Sequence, residues 1–472
     1  MGLTKEFKGG CVPPSEDEAE ARKLFERARE HRQAGNTDEA IELYSKLIER
    51  RFAVPDAYND LAILLFSMKR LPAAIACLRR ALIYAPQAAI FHSNLGRMLA
   101  AENAFDEAMA EYGRALALDP MRPKSHHNLG LLYYRLGNFR AAIECFDRAL
   151  ALDPACRTVL LDRAFALLAA GDWARGFAGY DERFDLDDLP DRQLRSVRRL
   201  PLPLWQGEEI GGRTLYVYAE QGLGDTLQFV RFLPLAARRG ARIVFDCQPA
   251  LLRLLRDFPG IAELREEGGP LPVADFQLPL MSLPHRLGIT PETLPRTPYL
   301  APPPMGDPPQ LIRPPGTRLA AGIVWAGRPQ NAADQDRSMT IQHFLGLCDL
   351  PGLALYSLQK GARASDIGSQ GCQALVQDLG SKDRDLADTA HLVMQLDLVI
   401  SIDSAVAHLA GALGRPGFVL APFTPDWRWA GAGAESPWYP SLRLFRQQAP
   451  SDWHGVIRRV RDALAQSIAL PA

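Results

Sequence analysis

Residues 123–154, PKSHHNLGLLYYRLGNFRAAIECFDRALALDP, decide the fold of the first third of the chain. Their pattern recurs upstream at intervals of 34 residues. The positions in phase are a small residue (Ala40, Ala74, Ala108, Ala142), a leucine followed by Ala or Gly (Leu61-Ala62, Leu95-Gly96, Leu129-Gly130), a bulky residue (Tyr44, Leu78, Tyr112, Phe146) and a closing proline (Pro86, Pro120, Pro154). Small residues suit a close helix crossing, bulky ones fill the groove between helices, and proline ends a helix.

A period of 34 residues is typical of the tetratricopeptide repeat, a pair of helices whose arrays hold another polypeptide. We predict a disordered tail at 1–20, four repeats up to residue 154, and a degenerate fifth repeat that extends the array to 21–185. In the fifth repeat, Gly176 replaces the usual alanine, while Trp173 and Tyr180 keep their positions. A terminal repeat changes its outer face because its next neighbour is not another repeat. We therefore expect the fifth repeat to dock on the domain that follows the connector at 186–213.

Composition excludes several classes of protein. The chain has 472 residues, 47% of them hydrophobic, and a net charge of −1, so it can bury large cores but offers no overall attraction to nucleic acid. No apolar run is long enough to span a bilayer, and the N-terminus carries no signal-like apolar segment. The seven cysteines are scattered, which favours reduced thiols and argues against structural zinc. We expect a cytoplasmic protein.

From residue 214 onwards, apolar strand-like runs alternate with helix-like runs, a pattern typical of parallel α/β sheets covered on both faces. The predicted strands are 214–219, 241–247, 276–279, 319–325, 353–358, 374–378, 396–402, 417–420 and 442–445. The predicted helices are 225–238, 249–257, 340–348, 385–395, 405–413 and 453–465. The Pro-rich segment 301–315 is predicted to link two α/β lobes, 214–300 and 316–472, with a ligand cleft between them.

The first candidate site follows the first of these strands, in the sequence Glu220-Gln-Gly222-Leu-Gly224-Asp225-Thr226. Glycines allow a tight turn and the close approach of a ligand, here through Gly222 and Gly224. The ordinary interpretation makes Asp225 a helix N-cap. The functional interpretation makes it a general base in the cleft, next to Thr226.

The second candidate site is SIDSAVAHLAGALGRP at 401–416, after another predicted strand. Small residues such as Ala405 and Gly411 allow the helix to lie close to the sheet. Its first turn, near Asp403 and Ser404, suits a phosphate group because of its free N–H groups and positive dipole end. His408 lies one turn further along the same face. Alternatively, Asp403 is only an N-cap and His408 is a hydrogen-bonded core histidine.

Two further strand ends carry basic residues. Gly327-Arg328 follows GIVWA, with Arg337 a few residues further on, and Gln359-Lys360 follows a predicted strand at 353–358. These cations suit a phosphate, but they equally suit a solvated surface. The aromatics of Asp-Trp-Arg-Trp at 426–429 and of 438–440 are interpreted mainly as packing. We find no hydrolase elbow, no Walker lysine and no metal motif.

Residues 201–461 resemble the glycosyltransferase-B-like domain, related to glycosyltransferase family 9 (the heptosyltransferases), that often follows tetratricopeptide repeats in bacteria. The matching stretches are EQGLGDTLQFVRF (220–232), GIVWAG (322–327), SLQKG (357–361), DLADTAHLVMQLDLVISIDSAVAHLAGALGRP (385–416), DWRW (426–429) and WYPSLRLFRQ (438–447). Bacterial protein glycosyltransferases with fused repeats are similar to this combined architecture.

The resemblance implies two facing Rossmann-like lobes of the GT-B type, an acceptor-side lobe at 214–300 and a nucleotide-sugar lobe at 316–472. It implies Asp225 and His408 as catalytic residues. At the donor diphosphate it implies Asp403, Ser404 and a basic contact from Arg328 or Lys360. From the motifs themselves we also predict donor-binding positions at Gly222, Gly224, Thr226, Gly327, Gln359, Ala405 and Gly411. The resemblance implies no metal and no cofactor, since the nucleotide-sugar is a substrate whose base and sugar stay open.

The expected function is transfer of a sugar to a hydroxyl of a protein held by the repeats. Two alternatives remain. In the first, the acceptor is a saccharide or lipid and the repeats serve assembly. In the second, the chain is a non-catalytic interaction scaffold.

Overall fold

The computed structural model describes residues 16–50, 55–185, 200–328, 334–431 and 433–469. Most of the predicted tail and residues 186–199 of the predicted connector lie outside the described residues. The chain divides into two compact units. One comprises Met1–Tyr133 with Glu144–Ala155, and the other comprises Tyr134–Ile143 with Cys156–Ala472.

Ten helices in the described residues form the five predicted pairs. They are α1 (Glu16–Gln33), α2 (Thr37–Glu49), α3 (Pro55–Ser67), α4 (Leu71–Tyr84), α5 (Ala89–Ala101), α6 (Phe105–Leu118), α7 (Pro123–Arg135), α8 (Phe139–Leu152), α9 (Arg157–Ala170) and α10 (Trp173–Tyr180). The tail prediction was too long, because α1 begins at Glu16 rather than after residue 20.

The conserved spacing of small and bulky residues is explained by contacts within each helix pair. All four alanines of the repeat, at 40, 74, 108 and 142, are fully buried. A Cβ added to Gly130 would lie 2.5 Å from the Phe146 ring, and one added to Gly96 would lie 2.9 Å from the Tyr112 ring. The glycines are therefore required by the aromatic rings that cross them.

The second unit contains two parallel sheets. The strands are β1 (Thr214–Tyr218), β2 (Arg242–Cys247), β3 (Ile261–Glu266), β4 (Phe276–Pro279), β5 (Leu319–Val324), β6 (Leu353–Ser357), β7 (Val376–Asp378), β8 (Leu398–Ile402), β9 (Gly417–Ala421) and β10 (Leu442–Arg446). The orders are β3-β2-β1-β4 and β10-β9-β8-β5-β6-β7, and all neighbours are parallel. The predicted α/β class is confirmed.

The helices of this unit are α11 (Leu223–Phe229), α12 (Leu233–Arg238), α13 (Leu252–Leu255), α14 (Leu283–Leu287), α15 (Asp334–Arg337), α16 (Gln342–Leu345), α17 (Asp366–Ser369), α18 (Leu386–Gln395), α19 (Ala405–Ala412) and α20 (Trp453–Ala469). One strand, β3, was missed in the prediction. Its sequence, IAELRE, is polar and half-exposed, as suits an edge strand, so it lacks the apolar run used to recognise the others. The helix predicted at 225–238 is interrupted by a 3-10 turn at Val230–Phe232.

In each sheet, successive strands are added first on one side of the starting strand and then on its other side. In open parallel sheets, the loops that bind ligands lie where this reversal of strand order occurs. In the first sheet, the reversal lies between β1 and β4, and in the second between β5 and β8. The loop after β1 contains Gly222 to Asp225, and the loop after β8 contains Asp403 and Ser404. Both motifs chosen from the sequence therefore lie at the carboxyl ends of strands beside these places.

The fifth repeat packs into the core of the second unit, as predicted. Trp173 of α10 stacks on Trp438 with ring centroids 4.5 Å apart. The ring centroid of Phe177, also on α10, lies 6.4 Å from that of Phe229 and 5.8 Å from that of Trp427. Phe229 belongs to the first α/β lobe, whereas Trp427 and Trp438 belong to the second. Helix α10 therefore contacts both lobes.

Substitution of Gly130 by alanine should loosen α7 and α8, because the added methyl group overlaps the buried Phe146 ring. Overpacking of this kind costs about 1–3 kcal/mol. Hydrogen exchange of the full chain, followed at the amides of α7 and α8, measures the local loss of protection. Gly113→Ala is the matched control, since nothing lies within 4 Å of its added Cβ and alanine favours a helix interior. Equal protection in both variants would contradict the packing argument.

Candidate functional site

The two sequence motifs meet where α11 packs against α19. A Cβ added to Gly224 would lie 2.8 Å from Cδ2 of His408 and 3.5 Å from Cα of Ala405. The absence of a side chain at 224 thus allows the loop after β1 to touch the helix after β8. This contact brings Asp225 and His408 to the same region of the unit.

Asp225 lies in the first turn of α11, at its third residue. Its Oδ2 accepts a hydrogen bond from the Gly222 N–H at 2.9 Å, and its Oδ1 accepts one from Arg428 Nη2 at 2.6 Å. Gly222, rather than Asp225, is the N-cap, so the simple capping interpretation was wrong in its position. Burial raises the pKa of Asp225, while Arg428 acts to lower it and Asp426 to raise it.

Arg428 is the central cation of the site. Its guanidinium donates to Asp225, to Asp426 Oδ1 at 2.9 Å and, through Nε, to Gln228 Oε1 at 2.8 Å. Burial would lower its pKa, but the carboxylates of Asp426 and Asp225 raise it above the usual value. Arg428 was overlooked in the sequence because its neighbours, Trp427 and Trp429, favoured packing as the role of the whole segment.

The loop after β8 is less open to a phosphate than the sequence suggested. Ser404 is the N-cap of α19, and its Oγ accepts from the Val406 N–H at 3.2 Å. The Ala407 N–H is bonded to the Ser404 carbonyl at 3.1 Å. Two of the first three N–H groups of α19 therefore already have acceptors. The helix dipole remains, but fewer donors are free than predicted.

The carboxylate of Asp403 lies between the guanidinium of Arg337 and the imidazole of His408. Its Oδ2 lies 3.7 Å from Arg337 Nη1, and its Oδ1 lies 3.9 Å from His408 Nε2. Burial raises its pKa, with Asp426 raising it further and Arg337 lowering it. The site thus contains three carboxylates, of Asp225, Asp403 and Asp426, neutralised in part by two arginines.

His408 is buried against aromatic rings. Its Nδ1 lies 3.0 Å from the Tyr439 hydroxyl, and its ring lies 5.0 Å from that of Trp429. Burial lowers its pKa well below the usual 6.5, and the charge of Arg428 lowers it further. His408 is therefore neutral at pH 7. When Tyr439 donates to Nδ1, the proton of the neutral ring resides on Nε2, the nitrogen nearer to Asp403.

The strand end after β5 approaches the same place. The Gly327 N–H donates to Ser338 Oγ at 3.0 Å, and a Cβ at 327 would lie 2.2 Å from Asp334 Oδ1. Arg337, which contacts Asp403, belongs to this segment. Arg328 is exposed at the edge of the described residues. Of the two arginines named from the sequence as possible anion contacts, Arg328 and Arg337, it is thus Arg337 that reaches the site.

Gln359 and Lys360 are engaged elsewhere. The Gln359 amide accepts from the backbone of Trp325 and Ala326 and donates to the carbonyl of Ala326, joining the ends of β5 and β6. Lys360 forms an ion pair with Asp383. Neither side chain contacts Asp225 or His408. Gln359 therefore shapes the strand end, and the charge of Lys360 is paired with that of Asp383.

Thr226, Gly411 and Ala405, which were also predicted as donor-binding residues, make packing or hydrogen-bond contacts with neighbouring elements. Thr226 Oγ1 donates to Gln248 Oε1 at 3.0 Å, next to β2. Gly411 packs beneath the Tyr439 ring, and a Cβ added to Gly411 would lie 2.4 Å from Cγ of Tyr439. Ala405 faces Gly224. Gly411 therefore positions Tyr439, the partner of His408, rather than a ligand directly.

A second polar network, which the sequence analysis missed, lies at the ends of β1 and β4. Glu220 accepts two hydrogen bonds from Arg183, at 2.8 and 2.9 Å, and one from the Met281 N–H at 3.0 Å. Arg183 also donates to Ser282, and its side chain is fully buried. Arg183 lies just after α10, the last helix of the fifth repeat. No sequence motif signals it, because a buried ion pair between positions 37 residues apart has no local pattern.

The turn between α7 and α8 belongs to the second unit and lies beside the loop that precedes Arg428. Thr424 Oγ1 donates to the Arg135 carbonyl at 3.1 Å. Burial raises the pKa of Tyr134, and the charge of Asp426 raises it further. A segment of the fourth repeat therefore contacts the loops around Arg428.

Among the described residues, no group of three or more His, Cys, Asp or Glu side chains is arranged to hold a metal ion. Across the same residues, no helix has the length and apolarity to cross a bilayer.

Models of repeat families match the first third of the chain. A TPR repeat model matches residues 96–137, and two tetratricopeptide repeat models match 123–156 and 31–95. The chain therefore contains tetratricopeptide repeats, as the 34-residue period predicted.

A curated relative, Protein FlbA of Caulobacter vibrioides, is 28% identical over 345 residues, 64% of this chain and 54% of that protein. The chain thus spans about half the length of the curated relative it matches. Two similar solved structures are MamA from Desulfovibrio magneticus, at 17% identity, and pilF of Pseudomonas aeruginosa, at 23%. They cover 36% and 38% of this chain and 97% and 81% of their own, with TM-scores of 0.32 and 0.34.

The buried neutral state of His408 makes the stability of the second unit depend on pH. Because its pKa is lowered on folding, the stabilisation is complete above 6.5 and is lost as the pH falls towards the folded value. Each unit of pH between the unfolded and folded pKa values of His408 lowers the free energy of unfolding by at most about 1.4 kcal/mol. His408→Asn, which keeps an acceptor for Tyr439 but does not titrate here, should lose less on acidification than the wild type.

Tryptophan fluorescence is the measurement, since all seven tryptophans lie at residues 173–453, within the second unit. Unfolding in denaturant is compared at pH 7.5 and 5.0. The raised pKa values of Asp225 and Asp403 act in the opposite direction but are common to both proteins. If the variant and the wild type lose the same free energy of unfolding between pH 7.5 and 5.0, His408 is not the buried neutral group that causes the pH dependence.

Proposed function

We propose that the chain is a GT-B-type glycosyltransferase that moves a sugar from a nucleotide-sugar to a hydroxyl group of a protein held by its repeats. The observation that carries this proposal is the contact of the Gly224-Asp225 turn with His408. It joins an acid or base from the end of β1 to a helix N-terminus and a neutral imidazole from the end of β8. These are the parts needed for proton removal and for stabilising a leaving phosphate.

Asp225 is the proposed general base. Its two oxygens accept from Gly222 and Arg428, and each retains a lone pair for an acceptor hydroxyl. Burial makes the carboxylate more basic than a solvated aspartate, whereas Arg428 keeps it ionised. This balance suits a group that must be unprotonated before the reaction and take a proton during it.

The leaving group is assigned to the place between β5 and β8. Arg337 reaches Asp403 there, and His408 Nε2 points to the same carboxylate. In the reaction, the acceptor oxygen bonds to the anomeric carbon and gives its proton to Asp225. The bond from that carbon to the phosphate oxygen breaks, and the nucleotide leaves with the electron pair. Arg337, His408 and the α19 dipole stabilise the charge on the phosphate.

A protein acceptor is favoured by the repeats. Tetratricopeptide repeats generally mediate protein interactions, and three repeat family models match this part of the chain. The fifth repeat and the turn at 134–143 share one unit with the α/β lobes. The last part of the repeat array therefore lies in the same compact unit as the site that would modify a bound polypeptide.

Asp225→Asn should reduce transfer about 10²- to 10⁴-fold, the usual contribution of a general base. The assay incubates the full chain with radiolabelled nucleotide-sugars and follows both hydrolysis and transfer to a co-expressed partner by intact mass. Asp257→Asn, an exposed change on the same lobe, is the matched control. Wild-type rates in the Asp225 variant would refute its role. A labelled glycan instead of a labelled protein would favour a saccharide acceptor.

Binding of the nucleotide is tested separately from turnover. Thermal shift with UDP, ADP, GDP and CMP should raise the melting temperature with one of them, because a ligand of the folded state stabilises it. Arg337→Gln should reduce that shift, since the guanidinium would no longer meet the phosphate. If none of the four nucleotides alters melting, the chain is better described as a non-catalytic scaffold.

A further inference from the structure

Helices α5 and α7 present one continuous face in the first unit. Residues 34 apart occupy equivalent places on successive repeats, so Ile90 pairs with Lys124 and Arg97 with Leu131. Polar contacts between the helices show that the two faces adjoin: Asn128 Nδ2 donates to Ser93 Oγ at 3.4 Å.

The same line of contacts continues to the preceding repeat. Asn94 Nδ2 donates to Asn59 Oδ1 at 2.7 Å, which sets the α5 face beside that of α3. The first helices of successive repeats therefore stand side by side, and residues at their surface are available to one extended ligand.

Three cations gather on this face: Arg97 on α5, Lys124 in the first turn of α7, and Arg122 just before it. None of them forms an ion pair with another described residue. Nε of Arg97 and Nε of Arg122 are buried without a hydrogen-bond partner in the described part of the chain. Burial lowers the pKa of Lys124, and the charges of Arg97 and Arg122 lower it further, as expected of cations that face one another.

The neighbouring carboxylate does not neutralise the group. Burial lowers the pKa of Arg122, and the charge of Asp119 opposes this shift only in part. Asp119 Oδ1 itself accepts a hydrogen bond from the Met121 N–H. Arg97 instead lies over the Phe66 ring at 4.6 Å. Elsewhere in this unit, exposed cations such as Lys46 and Arg79 are matched by Glu42 and Glu107. The excess of positive charge is thus local.

Apolar side chains flank the cations. Ile90, Leu131 and Met121 are 38%, 40% and 69% exposed, although they are large and hydrophobic. A phosphate or a nucleic acid backbone would make no use of them. A polypeptide with acidic and apolar residues would pair with the cations and cover the apolar groups at once.

We propose that Arg97, Arg122 and Lys124, with Ile90 and Leu131, form a docking site for an acidic polypeptide segment that also carries apolar residues. We call this surface the cationic face. The site binds through carboxylates of the partner, and its occupation does not depend on whether the chain transfers a sugar.

The test is selection of binders from a random library of 12-residue peptides displayed on phage, with the full chain as target. We expect enriched peptides to be rich in Asp, Glu and apolar residues. Their affinity, measured by fluorescence anisotropy of the synthetic peptides, should fall at least about 10-fold in the triple variant Arg97→Gln, Arg122→Gln, Lys124→Gln. It should also fall between 50 and 300 mM salt, because partly exposed ion pairs are screened.

The matched control removes three cations that already have carboxylate partners, by Arg22→Gln, Lys46→Gln and Arg79→Gln. It should leave peptide affinity within about 2-fold, because exposed pairs contribute little. Circular dichroism of both variants verifies the helices.

Three outcomes would overturn the proposal. These are enriched peptides without an acidic excess, equal affinity in the two triple variants, or no enriched peptide at all. A fourth, binding of a labelled single-stranded oligonucleotide that is lost only in the variant of the cationic face, would assign the surface to nucleic acid instead.

Discussion

The second unit depends on a contact that only glycine permits. At position 224, a side chain would enter the space occupied by the His408 ring. Because this contact lies between α11 and α19, it sets the distance between the ends of two sheets that, in the described part of the chain, share no hydrogen-bonded strand. The ion pair of Asp225 and Arg428 follows from that approach, since it joins the loop after β1 to the segment after β9.

Much of the fold was predictable from local patterns. The repeat period located all five helix pairs, because every helix pair must meet the same packing requirement at the same positions. Nine of the ten described strands were recognised because strands of a parallel sheet are apolar on both faces. The exception, β3, is half-exposed, and its alternating charges resemble those of a loop.

The candidate site was predictable only in part. Asp225, Ser404 and His408 stand next to strand ends and glycines, so local sequence identifies them. Arg428 and Arg183 do not, because each acts through partners far along the chain, about 200 and about 40 residues away. The role of Ser404 also differs from expectation: its hydroxyl caps its own helix, a geometry that depends on the backbone at a single residue.

The division of the chain into units does not follow the repeat period. The last repeat, from Cys156 onwards, and the turn at 134–143 belong with the α/β lobes, while α8 from Glu144 onwards belongs with the earlier repeats. A truncation that removes whole repeats therefore does not remove a whole compact unit. Removal of the fifth repeat would uncover Trp438 and Trp427, because Trp173 and Phe177 pack on their rings.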